Sequence, residues 1–189
     1  KDIKEVDLAE GQAIAVKMVE AGLAYNPETN GIFFASFSER ALRQNPVGVK
    51  LRVGDVPKTK NMDRAKVTEG RLVILDTFLR IVQEQGFGKG GKNEGKLNFK
   101  VGLLMEAMTG AQEGKFITIF TENPRVAREL MDSLDAELAK PERALDKGAV
   151  PEEDFAYGKS GLVSWRPGAY TDSVLKVPDG KGDFVKVRN

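Results

Sequence analysis

Two stretches of this chain alternate strictly between apolar and polar residues. In VGVKLRV, Val47, Val49, Leu51 and Val53 point one way, and Lys50 and Arg52 point the other. In KLNFKVGLLME, Leu97, Phe99, Val101, Leu103 and Met105 alternate with Lys96, Asn98, Lys100 and Gly102. A period of two makes a strand with one face for a core and one face for something polar. A third stretch, FITIF from Phe116 to Phe120, is apolar on both faces and predicts a central strand. Strands of this kind, linked by turn-rich segments rather than by regular helices, call for a mainly antiparallel sheet.

Helices are fewer. Thr121-Glu122-Asn123-Pro124 opens the best of them, because Asn123 is a good cap and Pro124 suits the first helical position. Val126, Leu130, Leu134 and Leu138 then recur every four residues, which predicts a long helix over about 124–139. A second helix is expected over Leu8–Ala21, with Asp7 as cap and Leu8, Ile14, Met18 and Val19 on one face. IFFASF, from Ile32, reads as a buried strand, with a short helix from Ser38 to Gln44 after it. RLVILDTFLRIVQEQ, residues 71–85, fits both periods. Leu72, Leu75, Leu79 and Val82 make a helical face; Val73, Leu75, Thr77, Leu79 and Ile81 make a strand face, and the β-branched content favours the strand. Three short strands close the chain in LVSWRPG, DSVLKVP and DFVKVRN, with Asp-Gly as a hairpin signal. The fold class is therefore α+β, a mainly antiparallel sheet with two or three helices. Residues 1–140 form the expected main domain, 141–161 a polar linker or long loop, and 162–189 short strands packed on the main domain.

Composition narrows the chemistry. The 189 residues suit one domain, and 41% hydrophobic content supports a core. Cysteine and histidine are both absent. That removes disulfides, thiol nucleophiles, most zinc sites and the usual general base. No cofactor or metal is expected. No run approaches the length of a membrane span, and no signal peptide is visible, which reads as a cytoplasmic protein without a membrane partner.

Net charge is +1, but it is unevenly spread. Residues 1–49 carry −2, residues 50–100 carry +6 and residues 101–189 carry −3. The basic middle includes the polar strand positions Lys50, Arg52, Lys96 and Lys100, and the final strand adds Lys186 and Arg188. PKTKNMDRAK supplies Lys58, Lys60, Arg64 and Lys66 from what reads as a mobile loop. GFGKGGKNEGK supplies Lys89 and Lys92, with Phe87 as a stacking ring, and Trp165 beside Arg166 offers a second platform. This glycine-rich stretch lacks the strand–turn–helix context of a dinucleotide loop, so it reads as the tip of a β-ribbon. Three strands with basic faces in one sheet would need an anionic partner, and phosphate backbone is the commonest. The expectation is a non-enzymatic nucleic-acid-binding domain of low sequence specificity. A structural or assembly protein, with a homo-oligomer as one form of it, is the alternative, and an enzyme using Lys, Tyr or carboxylates comes last. PEEDF, residues 151–155, reads as a solvated linker, and Asp132, Asp135 and Glu137 as surface charge on the long helix.

Overall fold

A computed structural model describes residues 3–22, 24–27, 32–36, 47–54, 63–88, 90–94, 96–102, 114–121, 123–148, 150–151, 153–169, 175–178 and 184–187. Their helices are α1 (Ile3–Glu20), α2 (Arg64–Glu84) and α3 (Pro124–Leu138), with a 3-10 turn at Pro141–Arg143. Their strands are β1 (Ala24–Pro27), β2 (Ile32–Ser36), β3 (Val47–Val53), β4 (Asn98–Gly102), β5 (Ile117–Thr121), β6 (Phe155–Tyr157), β7 (Val163–Ala169), β8 (Leu175–Pro178) and β9 (Phe184–Val187). Seven strands form one sheet in the order β1-β2-β4-β5-β3-β7-β6, and every neighbouring pair is antiparallel. β8 and β9 pair with each other in a second, two-stranded sheet. The class is α+β, as the alternation predicted, and FITIF supplies β5 at the middle of the large sheet.

Register fixes what each face holds. Phe99, Ile119, Leu51 and Trp165 lie opposite one another across β4, β5, β3 and β7. Val101, Ile117, Val53 and Val163 form the next row. Apart from Trp165, which packs half-buried at its margin, these residues belong to one buried cluster with Ile74, Leu75, Phe78 and Val82 of α2 and Leu130 and Leu134 of α3. Phe78 meets the Phe99 ring edge-on at 4.7 Å. The helices therefore cover this face of the sheet.

The stretch 71–85 is helical, and the strand expectation is corrected. Asp63 caps α2 by accepting from the backbone N–H of Ala65 and Lys66, at 3.0 and 3.3 Å. Val67, Arg71, Ile74, Leu75, Phe78, Ile81 and Val82 are buried at helical spacing, while Asp76, Arg80 and Glu84 face out. Packing on one side by the sheet outweighs the β preference of the branched residues. The part of the expected mobile basic loop from Arg64 on is the start of this helix. In α3 the cap is Asn123, as expected, accepting from Arg125 and Val126. In α1, Ile14 and Met18 are buried, but Val19 faces out. The short helix expected from Ser38 to Gln44 lies outside the described residues.

GFGKGGKNEGK joins α2 to β4, so it is no ribbon tip between two strands. The loop bonds to itself. Asn93 donates its backbone N–H to the Gly86 carbonyl and its side-chain amide to the Gln85 carbonyl, both at 2.9 Å. A Cβ at Gly91 would run into the Gly86 backbone, so the chain can close this tightly only with glycine there. Phe87 is 1% exposed and belongs to the core.

Candidate active site

The other face of the sheet carries the alternate residues. Lys100, Thr118, Arg52 and Ser164 share one row across β4, β5, β3 and β7. Asn98, Phe120, Lys50 and Arg166 occupy the next. Arg52 on β3 is only 3% exposed. Its guanidinium pairs with Asp154, whose side chain is 0% exposed. Asp154 comes from the segment that leads into the edge strand β6. Its second oxygen accepts from the Ser164 hydroxyl at 2.9 Å, and its first lies 3.8 Å from Arg166 Nε. Arg166 also pairs with Glu153. Arg52 Nε is buried and has no acceptor.

Lys115 joins this cluster from the residue just before β5. Phe116 donates to the Val53 carbonyl at 3.2 Å and accepts from Gly102 at 2.9 Å. Those bonds hold Lys115 at the junction of β3 and β4, beyond Arg52 and Lys100. Burial pushes the Lys115 ammonium down to about 8, and the nearby charges of Arg52 and Arg166 push the same way against Asp154 and Glu153. Burial also lowers Arg52 from its ordinary value, and Asp154 offsets part of that. Arg52, Arg166 and Lys115 thus lie close to Asp154 and Glu153 here.

The acidic segment is held from behind. Asp135 of α3 accepts from the backbone N–H of Lys159 and Ser160, at 2.8 to 2.9 Å. Burial works against its charge, but those bonds outweigh it and lower its pKa. Tyr157 donates to Asp132. Glu137 gathers Arg80, Lys140 and Arg143 on the surface, and the Lys140 bond leads in bringing it to about 2. Two of the three acids read as plain surface charge therefore fasten the segment after Asp154 to the long helix. Asp154, read as part of a solvated linker, is buried in the centre of the site.

The expected site residues scatter. Lys50, Arg52, Lys100 and Arg166 do lie on the polar face of one sheet. Lys96 and Lys92 are exposed on the loop before β4, and Lys66 is exposed in the first turn of α2. Trp165 and Arg166 alternate to opposite faces, so they form no joint platform; Trp165 stacks obliquely on Phe155 at 5.3 Å instead. Phe87 is in the core and cannot stack on a base. Lys186 lies on β9, in the other sheet. Arg64 begins α2, and Lys58, Lys60, Lys89 and Arg188 lie outside the described residues. Lys115, Glu153 and Asp154 were missed. Among the described residues no three His, Cys, Asp or Glu side chains gather as metal ligands would. No helix among them is long and apolar enough to cross a membrane.

A seven-stranded antiparallel sheet with helices packed on one face is also found in solved structures. The fold is shared with phosphothreonine lyase effector proteins. The VirA (SpvC) phosphothreonine lyase of Chromobacterium violaceum superposes with a TM-score of 0.52 at 15% identity, over 78% of this chain and 66% of that one. The phosphothreonine lyase SpvC of Salmonella gives 0.50 at 12% identity, over 87% and 88%. OspF of Shigella flexneri gives 0.50 at 14%, over 82% and 76%. No family model matches the chain, and no curated protein matches it by sequence. The non-enzymatic nucleic-acid expectation is corrected accordingly. The structural neighbours are lyases, the two described arginines of the basic face are already held by carboxylates, and the proposed stacking ring is buried.

Proposed function

We propose that this chain is a carbon–oxygen lyase that removes phosphate from a phosphorylated threonine by β-elimination. The observation that carries the reading is the cluster of Arg52, Arg166 and Lys115 on the polar face of a fold shared with phosphothreonine lyases. Elimination needs two things from a protein: a base for the Cα proton and positive charge for the departing phosphate. The arginines supply the charge. A lysine supplies the base. Lys115, held near pH 8, presents a useful fraction of neutral amine around neutrality. Lys100, in the row of Arg52 and about 10 Å away by two strand spacings, is the second lysine in reach.

The electrons balance without water. The base takes the Cα proton, the C–H pair forms the Cα=Cβ bond, and the Cβ–O bond breaks so that phosphate leaves with its pair. Threonine becomes a didehydrobutyrine residue. The chain has no histidine, so the proton that relieves the leaving phosphate comes from an ammonium or from water. One of the related structures is a histidine-to-asparagine variant of SpvC, which marks this as a point of difference.

Mass spectrometry of a phosphothreonine peptide after incubation tests the reading. The expected product has lost phosphoric acid and adds a thiol. A product that has lost only the phosphoryl group and regained its hydroxyl would make the protein a phosphatase. An unchanged peptide would end the lyase reading. In an active preparation, Lys115→Met and Lys100→Met should each be assayed; loss of the base costs roughly 10²- to 10⁴-fold in kcat.

A further inference from the structure

The bulkiest fully buried side chain among the described residues is a charged one. Arg71 of α2 is 0% exposed, and its Nε donates at 2.6 Å to Glu10 of α1, itself 2% exposed. A buried ion pair adds little stability over well-packed apolar residues of the same volume, so stability alone does not account for it. What the Arg71 guanidinium reaches is the backbone around Lys115. It donates to the carbonyl of Gly102, the last residue of β4. Its Cζ lies 4.0 Å from the centroid of the Phe116 ring, and Phe116 follows Lys115 in the chain. Gly102 and Phe116 are themselves joined, Gly102 donating to the Phe116 carbonyl at 2.9 Å. One guanidinium therefore holds both sides of the rung next to the Val101–Ile117 pair. The fit there is close. A Cβ at Gly102 would lie 3.2 Å from the Lys115 carbonyl oxygen, so glycine lets the Lys115 backbone settle against β4.

Resting on the reading of Lys115 as the base, we propose that Arg71 is a positioning residue for it, held in turn by Glu10, so that the seating of α1 on α2 sets the surroundings of the reacting amine. Arg71 acts through Phe116 and Gly102. The charged groups that face Lys115 are Arg52 of β3, Arg166 of β7 and, from the segment before β6, Glu153 and Asp154. Burial is the main cause of its lowered pKa, about 8, and the two arginines add to it. Both causes depend on where the lysine side chain starts. Freed from the rung, Lys115 would gain water and distance from the arginines, and its pKa would climb back toward 10.5.

Labelling of the folded protein with acetic anhydride over a pH series, read at Lys115 by mass spectrometry, tests this without substrate or turnover. The wild-type midpoint should lie at about 8. Glu10→Gln and Arg71→Met in one chain remove both charges together, so neither is left stranded. The Lys115 midpoint should then rise by about one pH unit or more. Asp76→Asn is the control. It breaks the 2.7 Å Lys17–Asp76 pair, which also ties α1 to α2 but lies at the surface, and it should leave the midpoint in place. Thermal melts check that each variant folds. Should the double variant not fold, Arg71→Lys takes its place: the charge stays with Glu10, the planar forked guanidinium is lost, and the midpoint should move the same way. A folded variant with the wild-type midpoint, or an equal shift in Asp76→Asn, overturns the role of Arg71 and leaves the lyase reading to the phosphopeptide assay. A wild-type midpoint near 10.5 overturns the placement of Lys115 among the arginines, and this proposal with it. A shifted midpoint beside an unchanged phosphopeptide ends the lyase reading alone.

Discussion

The two faces of the large sheet are built from alternate residues of the same strands, yet different physics holds each together. On the helix-covered face, Phe99, Ile119 and Leu51 lie side by side with no exposed surface, and contact alone holds them. On the opposite face, Lys100, Thr118, Arg52 and Ser164 lie side by side, and Arg52 stays buried only because Asp154 compensates it. A core made by contact loses stability in proportion to what is removed. A buried charge pair contributes little as a pair, but losing one partner is costly. The second face is therefore the one that can exchange partners, which is what a binding site requires.

The largest effects should come from breaking each face by its own rule. Phe99→Ala removes the ring packed edge-on against Phe78 and should cost about 3–5 kcal/mol in urea denaturation. Asp154→Ala strands the Arg52 guanidinium and should cost about 3–5 kcal/mol as well. The two should differ in rescue. Added phosphate should restore part of the Asp154→Ala loss and none of the Phe99→Ala loss. Equal behaviour in phosphate would erase the distinction between the faces.

Next in size is the clamp that joins them. Gly158 has φ +70°, and a Cβ there would run into the Asp135 carboxylate, which is pinned by two backbone N–H groups. Gly90 has φ +77° but open space around it. Gly158→Ala should lower stability by about 1–3 kcal/mol, and Gly90→Ala by only about 1 kcal/mol. Thermal melts of the two variants should separate by several degrees. Coincident melts would mean that the Asp135 contact gives way without cost.

A pH series sharpens the electrostatic side. The Lys115 pKa is about 8 in the folded protein against an ordinary 10.5. Between those values the unfolded chain binds more protons than the folded one, so stability should rise with pH across that window and level off above it. The slope should be shallower in Lys115→Met, because the other lysines and the tyrosines cancel in the comparison. Parallel profiles would show that Lys115 is neither desolvated nor crowded by Arg52 and Arg166.

How legible each face was follows from the range of its causes. β3, β4 and β5 could be read because alternation is local, and α3 because Asn123 and Pro124 mark its start. Residues 71–85 fitted two periods, and only the sheet packed against one side of them decides for the helix. Phe87 looked like a loop residue between two glycines, but the loop folds back and puts it in the core. Asp154 had no local signal. PEEDF has the composition of a solvated segment, and its partner Arg52 is 102 positions away. Segment charge counts located the basic middle of the chain, but a strand pairing between β3 and β7 brings the acids of the C-terminal part onto it. Part of the excess that looked like a claim on nucleic acid is met from within, by Asp154 on Arg52, Glu10 on Arg71 and Glu137 on Arg80.

The smallest expected effect isolates burial from chemistry. Arg125 and Glu129 make the same kind of pair as Arg52 and Asp154, at 2.8 Å and one helical turn apart, but with both side chains mostly in water. Glu129→Ala should change stability by no more than about 0.5 kcal/mol, and less at high salt. Set beside Asp154→Ala, it compares one carboxylate deletion in two dielectric settings. If the exposed deletion costs as much as the buried one, the cost at Asp154 belongs to lost contacts rather than to a stranded guanidinium.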